Sequence, residues 1–276
     1  MIPDWLHWLE TCPSTNTWAL TYPDRFVDGS VVFTRQQTAG RGQYNRSWIA
    51  PEGVLTATIV LDRLPRSQFS GFSLVAGLAV IYAIEDLLPN LQDQLRLKWP
   101  NDIWLEDRKL AGILCESVSS AHTITPSAIS TPFQSQPLHR LVVGVGLNRS
   151  VDFAASGIDP ERIGNPISLH EVVSQVPDEV ACLTAIRHYL RQAASLSAYH
   201  ANHAGISYPC PGLAPLLAEL NRRDALRGKT IALKESELIG QAGGIDASGN
   251  LLIELPDRTV HAVGSGKIRV VEKHET

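Results

Sequence analysis

Residues 95–117 read LRLKWPNDIWLEDRKLAGILCES, and this stretch decides the fold. Three short apolar runs, 95–99, 103–105 and 110–117, have the length and composition of strands, and Glu106, Asp107 and Arg108 form a turn between the last two. A run downstream at 141–147 (LVVGVGL) and two upstream, 30–34 (SVVFT) and 54–61 (VLTATIVL), are short and rich in β-branched residues. Between them Leu74, Leu78, Ile81 and Leu88 recur near i, i+4, i+7, the spacing of a helix laid on a sheet over 70–88, and Pro89 and Asn90 stop it. Helical patterns return at 178–200 and 213–220. The expectation is an α+β fold, a mixed β-sheet with helices on one side. Residues 119–140, with five Ser, three Thr and three Pro, break the pattern and read as a mobile hairpin insertion without regular structure.

From Lys229 the texture changes. Short strand-like runs (TIALKESELIG, LLIEL, KIRVV) are separated by tight Gly, Asp and Asn turns, which predicts a small closed barrel of about fifty residues. The chain thus divides into a main unit, 1–220, and a barrel, 221–276. The barrel carries nine Lys/Arg against eight Asp/Glu, too near neutrality for an RNA-binding module. The whole 276-residue chain holds 24 Lys+Arg and 28 Asp+Glu, and 24 − 28 = −4 excludes bulk attraction to nucleic acid or an anionic membrane. With 44% hydrophobic and 19% charged residues it can bury a core.

The opening MIPDWLHWLE lacks the basic and apolar regions of a secretory signal, and no apolar run approaches the roughly 18 residues that span a bilayer. Cys12, Cys115, Cys182 and Cys210 show no C-x-x-C pairing, so neither a zinc site nor a disulfide framework is expected, and a reducing, cytoplasmic setting follows. His200 and His203 share a helix face without a carboxylate or thiol ligand nearby, so no metal centre is expected.

Three glycine clusters must be tested against nucleotide fingerprints. After Gly40-Arg41-Gly42 the third glycine of G-x-G-x-x-G would fall at Asn45, and after Gly144-Val145-Gly146 at Arg149, so neither is a dinucleotide motif. Gly264-Ser265-Gly266-Lys267 ends like a phosphate loop, but His261 stands at the leading glycine position and Ile268 follows the lysine, which leaves a barrel turn. The first cluster differs. Residues 37–48, QTAGRGQYNRSW, set two arginines in a pliable backbone able to close over a ligand, and a guanidinium fork suits phosphate and carboxylate oxygens.

Ser14-Thr15-Asn16, Gln37-Thr-Ala-Gly-Arg-Gly with Trp48, Lys98-Trp-Pro-Asn-Asp102, Arg108-Lys-Leu-Ala-Gly-Ile-Leu-Cys-Glu116 and Gly144-Val-Gly-Leu-Asn148 occur in this order. In that order the chain resembles the biotin protein ligases over about residues 9–271. Thirteen residues precede Ser14, which resembles the ligase-only class rather than members with an N-terminal DNA-binding domain. The resemblance implies an SH3-like fold for the C-terminal barrel. It also implies ATP-dependent formation of biotinyl-5'-adenylate, followed by transfer of biotin to a lysine of a biotin carboxyl carrier protein of acetyl-CoA carboxylase. Biotin, ATP and Mg²⁺ carried with ATP would be the ligands, with no nucleic-acid or membrane partner, and pairing of two copies through a sheet edge stays open.

By the same resemblance, Lys109 and Arg41 are the catalytic cations. Lys109 follows the turn at the start of an apolar strand, a rigid place from which an ammonium can reach both a carboxylate and an α-phosphate. Ser14, Thr15, Asn16, Gln37, Gly40, Arg41, Gly42, Gln43, Trp48, Lys109 and Gly112 would bind biotin, although Ser14 also reads as a helix N-cap. Arg41, Arg46, Lys98, Asn101, Asp102, Gly144, Gly146 and Asn148 would face ATP or the adenylate, with Asp102 a partner for Mg²⁺ or a nearby cation. The chain departs from the family at Gln43, where an arginine is usual, and at Asn45, where a glycine is usual. Two other readings are a lipoate or octanoate ligase and a non-catalytic biotin-binding regulator; the 14–16 and 40–42 motifs favour biotin, and Lys109 favours an enzyme.

Overall fold

Alternation along the strands determines which side of the sheet carries helices and which carries the site. The computed structural model describes residues 2–117, 138–159, 163–203, 213–234, 236 and 238–271. Seven strands, β1 (Leu6–Leu9), β2 (Val31–Thr34), β3 (Val54–Pro65), β4 (Arg96–Lys98), β5 (Asp102–Leu105), β6 (Arg108–Ser117) and β7 (Leu138–Asn148), form one sheet in the order β1-β2-β3-β7-β6-β5-β4. The β1–β2 pair is parallel and every other pair antiparallel, so the sheet is mixed because of β1. Four residues, LHWL, are too short to show a period of their own; pairing with β2 makes them a strand.

Among the described residues, α-helices α1 (Thr15–Thr21), α2 (Phe72–Leu87), α3 (Glu179–His203) and α4 (Leu217–Arg223) accompany this sheet and its C-terminal neighbour. Val31, Phe33, Leu55, Ala57, Ile59, Leu61, Val143 and Val145 point to the face that packs on α2 and α3. Their neighbours Val32, Val60 and Val142 point the other way, onto Ala19 of α1 and Phe26. The expectation of helices on one side is therefore corrected. A period of two buries both faces of the central strands, and α1 covers part of the second face.

Helix α2 is buried along nearly its whole length, and Gly77 lets it approach β4 so closely that a Cβ there would collide with Leu97. Its last turn is held by Glu85, whose carboxylate accepts from Arg223 of α4 at 2.6 and 2.8 Å, both side chains being buried. Breaking such a pair from one side leaves a buried charge and costs about 3–5 kcal/mol.

The C-terminal strands β8 (Thr230–Leu233), β9 (Ile239–Ile245), β10 (Leu251–Glu254), β11 (Val260–Val263) and β12 (Ile268–Val270) form an antiparallel sheet in the order β11-β10-β9-β8-β12. Gly264 to Gly266 connect its two outer strands. The sheet is fastened to the larger unit at several points. Trp99 Nε1 donates to Gly249 O at 2.9 Å, Lys229 pairs with Asp107 at 2.6 Å, and Ala225 N donates to Leu97 O at 2.9 Å. The expected insertion at 119–140 lies outside the described residues up to 137; Leu138, His139 and Arg140 belong to β7. No helix among the described residues is long and apolar enough to cross a membrane.

Asp224 sits at this junction, 8% exposed, with Oδ1 accepting from Leu226 N and Oδ2 without a partner among the described residues. Burial pushes its carboxyl up to about 6. A raised carboxyl favours the folded state below the unfolded value near 3.8 and loses that contribution as pH rises through about 6. Asp224→Asn is expected to raise thermal stability at pH 8 by on the order of 1–3 kcal/mol and to have little effect at pH 4. Equal shifts in melting temperature at the two pH values would contradict this.

Candidate active site

One row of the pleat forms the floor of the site. Reading across the registers, Thr34 lies opposite Thr56, Thr56 opposite Gly146, Gly146 opposite Gly112, Gly112 opposite Asp102, and Asp102 opposite Lys98. Residues in one row share a face, so the row has hydroxyls at one end, two glycines in the middle and charged groups at the other. Thr56 and Asp102 are three strand intervals apart, roughly 14 Å at about 4.8 Å each.

The glycines make room for Trp48. A Cβ on Gly146 would overlap the indole, and one on Gly112 would lie 3.1 Å from Trp48 Cζ3 and 3.4 Å from Lys109 Nζ. The indole thus lies over both strands and Lys109 reaches across the second. Lys109 Nζ is 5.3 Å from the Trp48 ring centre and 2.7 Å from Asp102 Oδ1. The partner of Asp102 is therefore Lys109. Lys98 Nζ instead packs 4.6 Å above the Trp104 ring. Burial lowers the Lys98 pKa; the Asp102 charge opposes the shift, while Lys109, Arg46 and Lys234 add to it.

Residues 40–48 form a small hairpin over this floor. Trp48 N donates to Gly40 O at 2.9 Å, Arg41 and Ser47 pair antiparallel, and Gly42 N donates to Arg46 O at 2.7 Å. Gly40 is needed where the arms cross, because a Cβ would run into the Trp48 carbonyl. Arg41 Nη2 donates to both oxygens of Glu116, at 2.9 and 2.6 Å. Glu116 also accepts from Asn16 Nδ2 at 2.9 Å, and that amide donates to Leu114 O at 3.1 Å. Thr58 Oγ1 closes the network 2.5 Å from Asn16 Oδ1 and 2.8 Å from Thr15 Oγ1. Gln37 Oε1 accepts from the Thr15 backbone at 2.8 Å.

These surfaces enclose a cavity of about 730 Å³. Its wall contains Ser14, Thr15, Asn16, Gln37, Arg41, Gly42, Gln43, Arg46, Trp48, Lys98, Asn101, Asp102, Lys109, Gly112, Gly144, Gly146 and Asn148. Gly40 is the one residue of the expected set outside that wall; it shapes the hairpin from behind. Several of the others hold the frame. Ser14 caps α1 by accepting from Thr17 N at 3.4 Å; Asn101 Nδ2 donates to Ile113 O at 2.6 Å, and Asn148 Nδ2 to Lys109 O at 3.0 Å. Asn16 is 2% exposed and saturated by protein partners, and Gly144 has no side chain because Asn16 Oδ1 occupies that space.

Three polar atoms of wall residues, Gln43 Oε1, Trp48 Nε1 and Thr56 Oγ1, are buried without a partner among the described residues. Such atoms cost about 1–3 kcal/mol each when left unpaired, so their presence in the residues of one cavity wall fits a site that takes a hydrogen-bonding ligand. Thr56 and Glu116 were missed as site residues. The alternation in VLTATIV was the available signal, since Leu55, Ala57 and Ile59 on one face require Thr56 and Thr58 on the other.

The slot, with hydroxyls of Thr34 and Thr56 at one end of its floor row and the Lys109–Asp102 pair at the other, suits an enzyme that activates a small carboxylic acid. The sequence model of the Biotin/lipoate A/B protein ligase family matches residues 8–129. A biotin--[acetyl-CoA-carboxylase] ligase of Paracoccus denitrificans is 30% identical over 251 residues, covering 88% of this chain and 91% of that protein. The bifunctional ligase/repressor BirA of Escherichia coli is 28% identical over 250 residues, covering 89% of this chain and 68% of that protein. A biotin protein ligase from Aquifex aeolicus, solved with biotin and ATP, shares the fold with a TM-score of 0.73 at 20% identity, over 96% of this chain and 99% of that one. The chain belongs to the biotin protein ligases of this family.

Gly146→Ala is expected to displace Trp48 from the floor and weaken biotin binding on the order of 10-fold or more while the sheet still folds. Calorimetric titration with biotin, beside the circular dichroism spectrum, checks it; unchanged affinity would show that Trp48 does not form the ligand's wall.

Proposed function

We propose that the chain is an ATP-dependent biotin protein ligase, and that the polar-to-cationic row beneath Trp48 orients its substrates. The observation carrying this reading is that row, with Thr56 at its hydroxyl end, Lys109 and Asp102 at the other, and polar atoms of Gln43, Trp48 and Thr56 in the wall unpaired among the described residues. Biotin is an apolar bicycle with a ureido group at one end and a carboxylate at the end of its tail. The ureido group takes the end lined by Ser14, Thr15, Gln37 and Thr56, and the carboxylate extends over Gly112 to Lys109.

In the first step a carboxylate oxygen attacks the α-phosphorus of ATP, the bond to the β-phosphate oxygen breaks, and pyrophosphate leaves. Lys109 bridges the carboxylate and the α-phosphate, and Arg41 supplies the second cation once its carboxylate partner is exchanged for a phosphate oxygen. Fixed cations aimed at developing charge in a site shielded from water are the main source of acceleration for such a displacement. In the second step the neutral amine of an acceptor lysine attacks the acyl carbon, the bond to the phosphate oxygen breaks, AMP leaves, and the amine passes its proton to water. Lys109 holds the departing phosphate, and the 40–48 hairpin excludes water from the mixed anhydride.

Mg²⁺ would be carried by the ATP phosphates and would supply charge neutralisation there. Among the described residues no group of three or more His, Cys, Asp or Glu is placed to hold a metal by itself. The acceptor is a lysine on a carrier domain of acetyl-CoA carboxylase, the substrate named for the Paracoccus denitrificans relative. Residues 1–220 form the catalytic domain, and 221–276, with five antiparallel strands, form the SH3-like domain.

Lys109→Ala is expected to reduce biotin-dependent pyrophosphate release on the order of 100-fold or more. Mass spectrometry of an isolated carrier domain incubated with enzyme, ATP and biotin then shows no added biotin. Modification by lipoate or octanoate in preference to biotin, or unimpaired transfer by Lys109→Ala, would overturn the assignment. Gln43 replaces a cation near the intermediate, so Gln43→Arg is expected to slow biotinyl-adenylate release several-fold in a filter assay; equal release rates would show that this position does not govern retention.

A further inference from the structure

The Gly264-Ser265-Gly266 turn has a role beyond joining β11 and β12. Gly266 N donates to the hydroxyl of Tyr44 at 2.8 Å. Tyr44 sits at the tip of the 40–48 hairpin, and Gly266 belongs to the C-terminal sheet, 222 residues away in sequence. Tyr44 adopts φ 57° and ψ 41°, the left-handed region, which a bulky side chain occupies only where its surroundings hold it. Tyr44 is 55% exposed, so burial does not explain the conformation. Two contacts do: the bond to Gly266, and the Arg46 guanidinium 5.9 Å from the ring centre.

The hairpin is therefore held at two places. At its base Arg41 is tied to Glu116 and Trp48 lies over the floor; at its tip Tyr44 is tied to the C-terminal sheet. Gln43, next to the tip, lines the cavity with its carbonyl oxygen buried. Lys234 and Arg269 of the C-terminal sheet stand in the same wall. Lifting the tip would open the cavity between the two units.

We propose that Tyr44 is a positioning residue for the ligase reaction. Its hydroxyl docks the hairpin on the Gly266 amide, and through that bond the C-terminal sheet keeps the roof closed over the acyl-adenylate. The proposal rests on the ligase reading above and goes beyond it by assigning the retention of the intermediate to a contact between the two units.

Tyr44→Phe keeps the exposed ring and removes only the hydroxyl. In the full chain, after biotinyl-adenylate has been formed and excess ATP removed, release is expected to be on the order of 3–10-fold faster than in wild type, the scale of one hydrogen bond. Hydrogen exchange at the Gly266 amide is expected to speed up in parallel, with the melting temperature unchanged. Release that is unaltered, with or without a change at Gly266, overturns the proposal, as does faster release with Gly266 protection intact. If wild type forms no adenylate, the ligase reading fails instead, and Gly266 protection alone decides whether the hairpin is docked.

Discussion

Two positions without side chains, Gly112 and Gly146, sit side by side in the middle of a seven-stranded sheet, and the site depends on that gap. A central strand normally fills both faces, and a glycine there gives up packing and costs backbone entropy. The loss is offset because the indole of Trp48 lies in the gap, bringing its hairpin down onto the sheet and leaving a slot between Thr56 and Lys109. A methyl at Gly146 would lift the indole, and with it the hairpin that carries Arg41 and Gln43. The opposite face of the same strands is continuous Val, Ile and Leu against α2 and α3, so the floor is stiff although its working face is hollow.

Charge in the site is arranged for exchange. Arg41 and Glu116 are 43% and 25% exposed, and a pair so open to water contributes little to stability. A phosphate oxygen can therefore take the place of the Glu116 carboxylate at small cost. The Arg223–Glu85 pair, with side chains 0% and 2% exposed, is the contrasting case, since no ligand reaches it and its partners are fixed. Lys109 lies between these extremes, held to Asp102 at the lip of the slot with its backbone locked by Asn148, Asn165 and Ile167. A rigid backbone with an exchangeable partner suits the role proposed for Lys109.

The parts of the fold with long periodic patterns were legible in the sequence. The strands at 54–61, 110–117 and 141–147 and the helix at 70–88 all appear, extended or trimmed by a few residues at their ends. Strand β1 was not legible, because four residues carry no period and a parallel partner defines them. The second helical face was missed for a related reason: Val32, Val60 and Val142 are apolar like their neighbours, and only the assembled sheet shows that they point away from the core. In the site, ordered motifs marked the residues but not their duties. Asn16, Asn101 and Asn148 were assigned to ligands; they do line the cavity, and their amide nitrogens also bind the protein, a duty the motifs did not reveal because a motif does not record which atom a side chain serves.

The contact between the units follows from the same geometry. The charged end of the row, at β5 and β4, is also the edge where the larger sheet meets the C-terminal one, through Trp99 and Gly249, Asp107 and Lys229, and Leu97 and Ala225. An edge strand left bare would expose unpaired backbone groups; here the chain entering the second sheet covers β4 at Asp224, which forms a parallel bridge with Leu97. That covering places the turn at Gly266 within reach of the hairpin tip and Lys234 and Arg269 in the cavity wall. The cavity is thus lined from both sheets, by Lys109 and Gly112 of the larger and by Gly266 and Arg269 of the C-terminal unit.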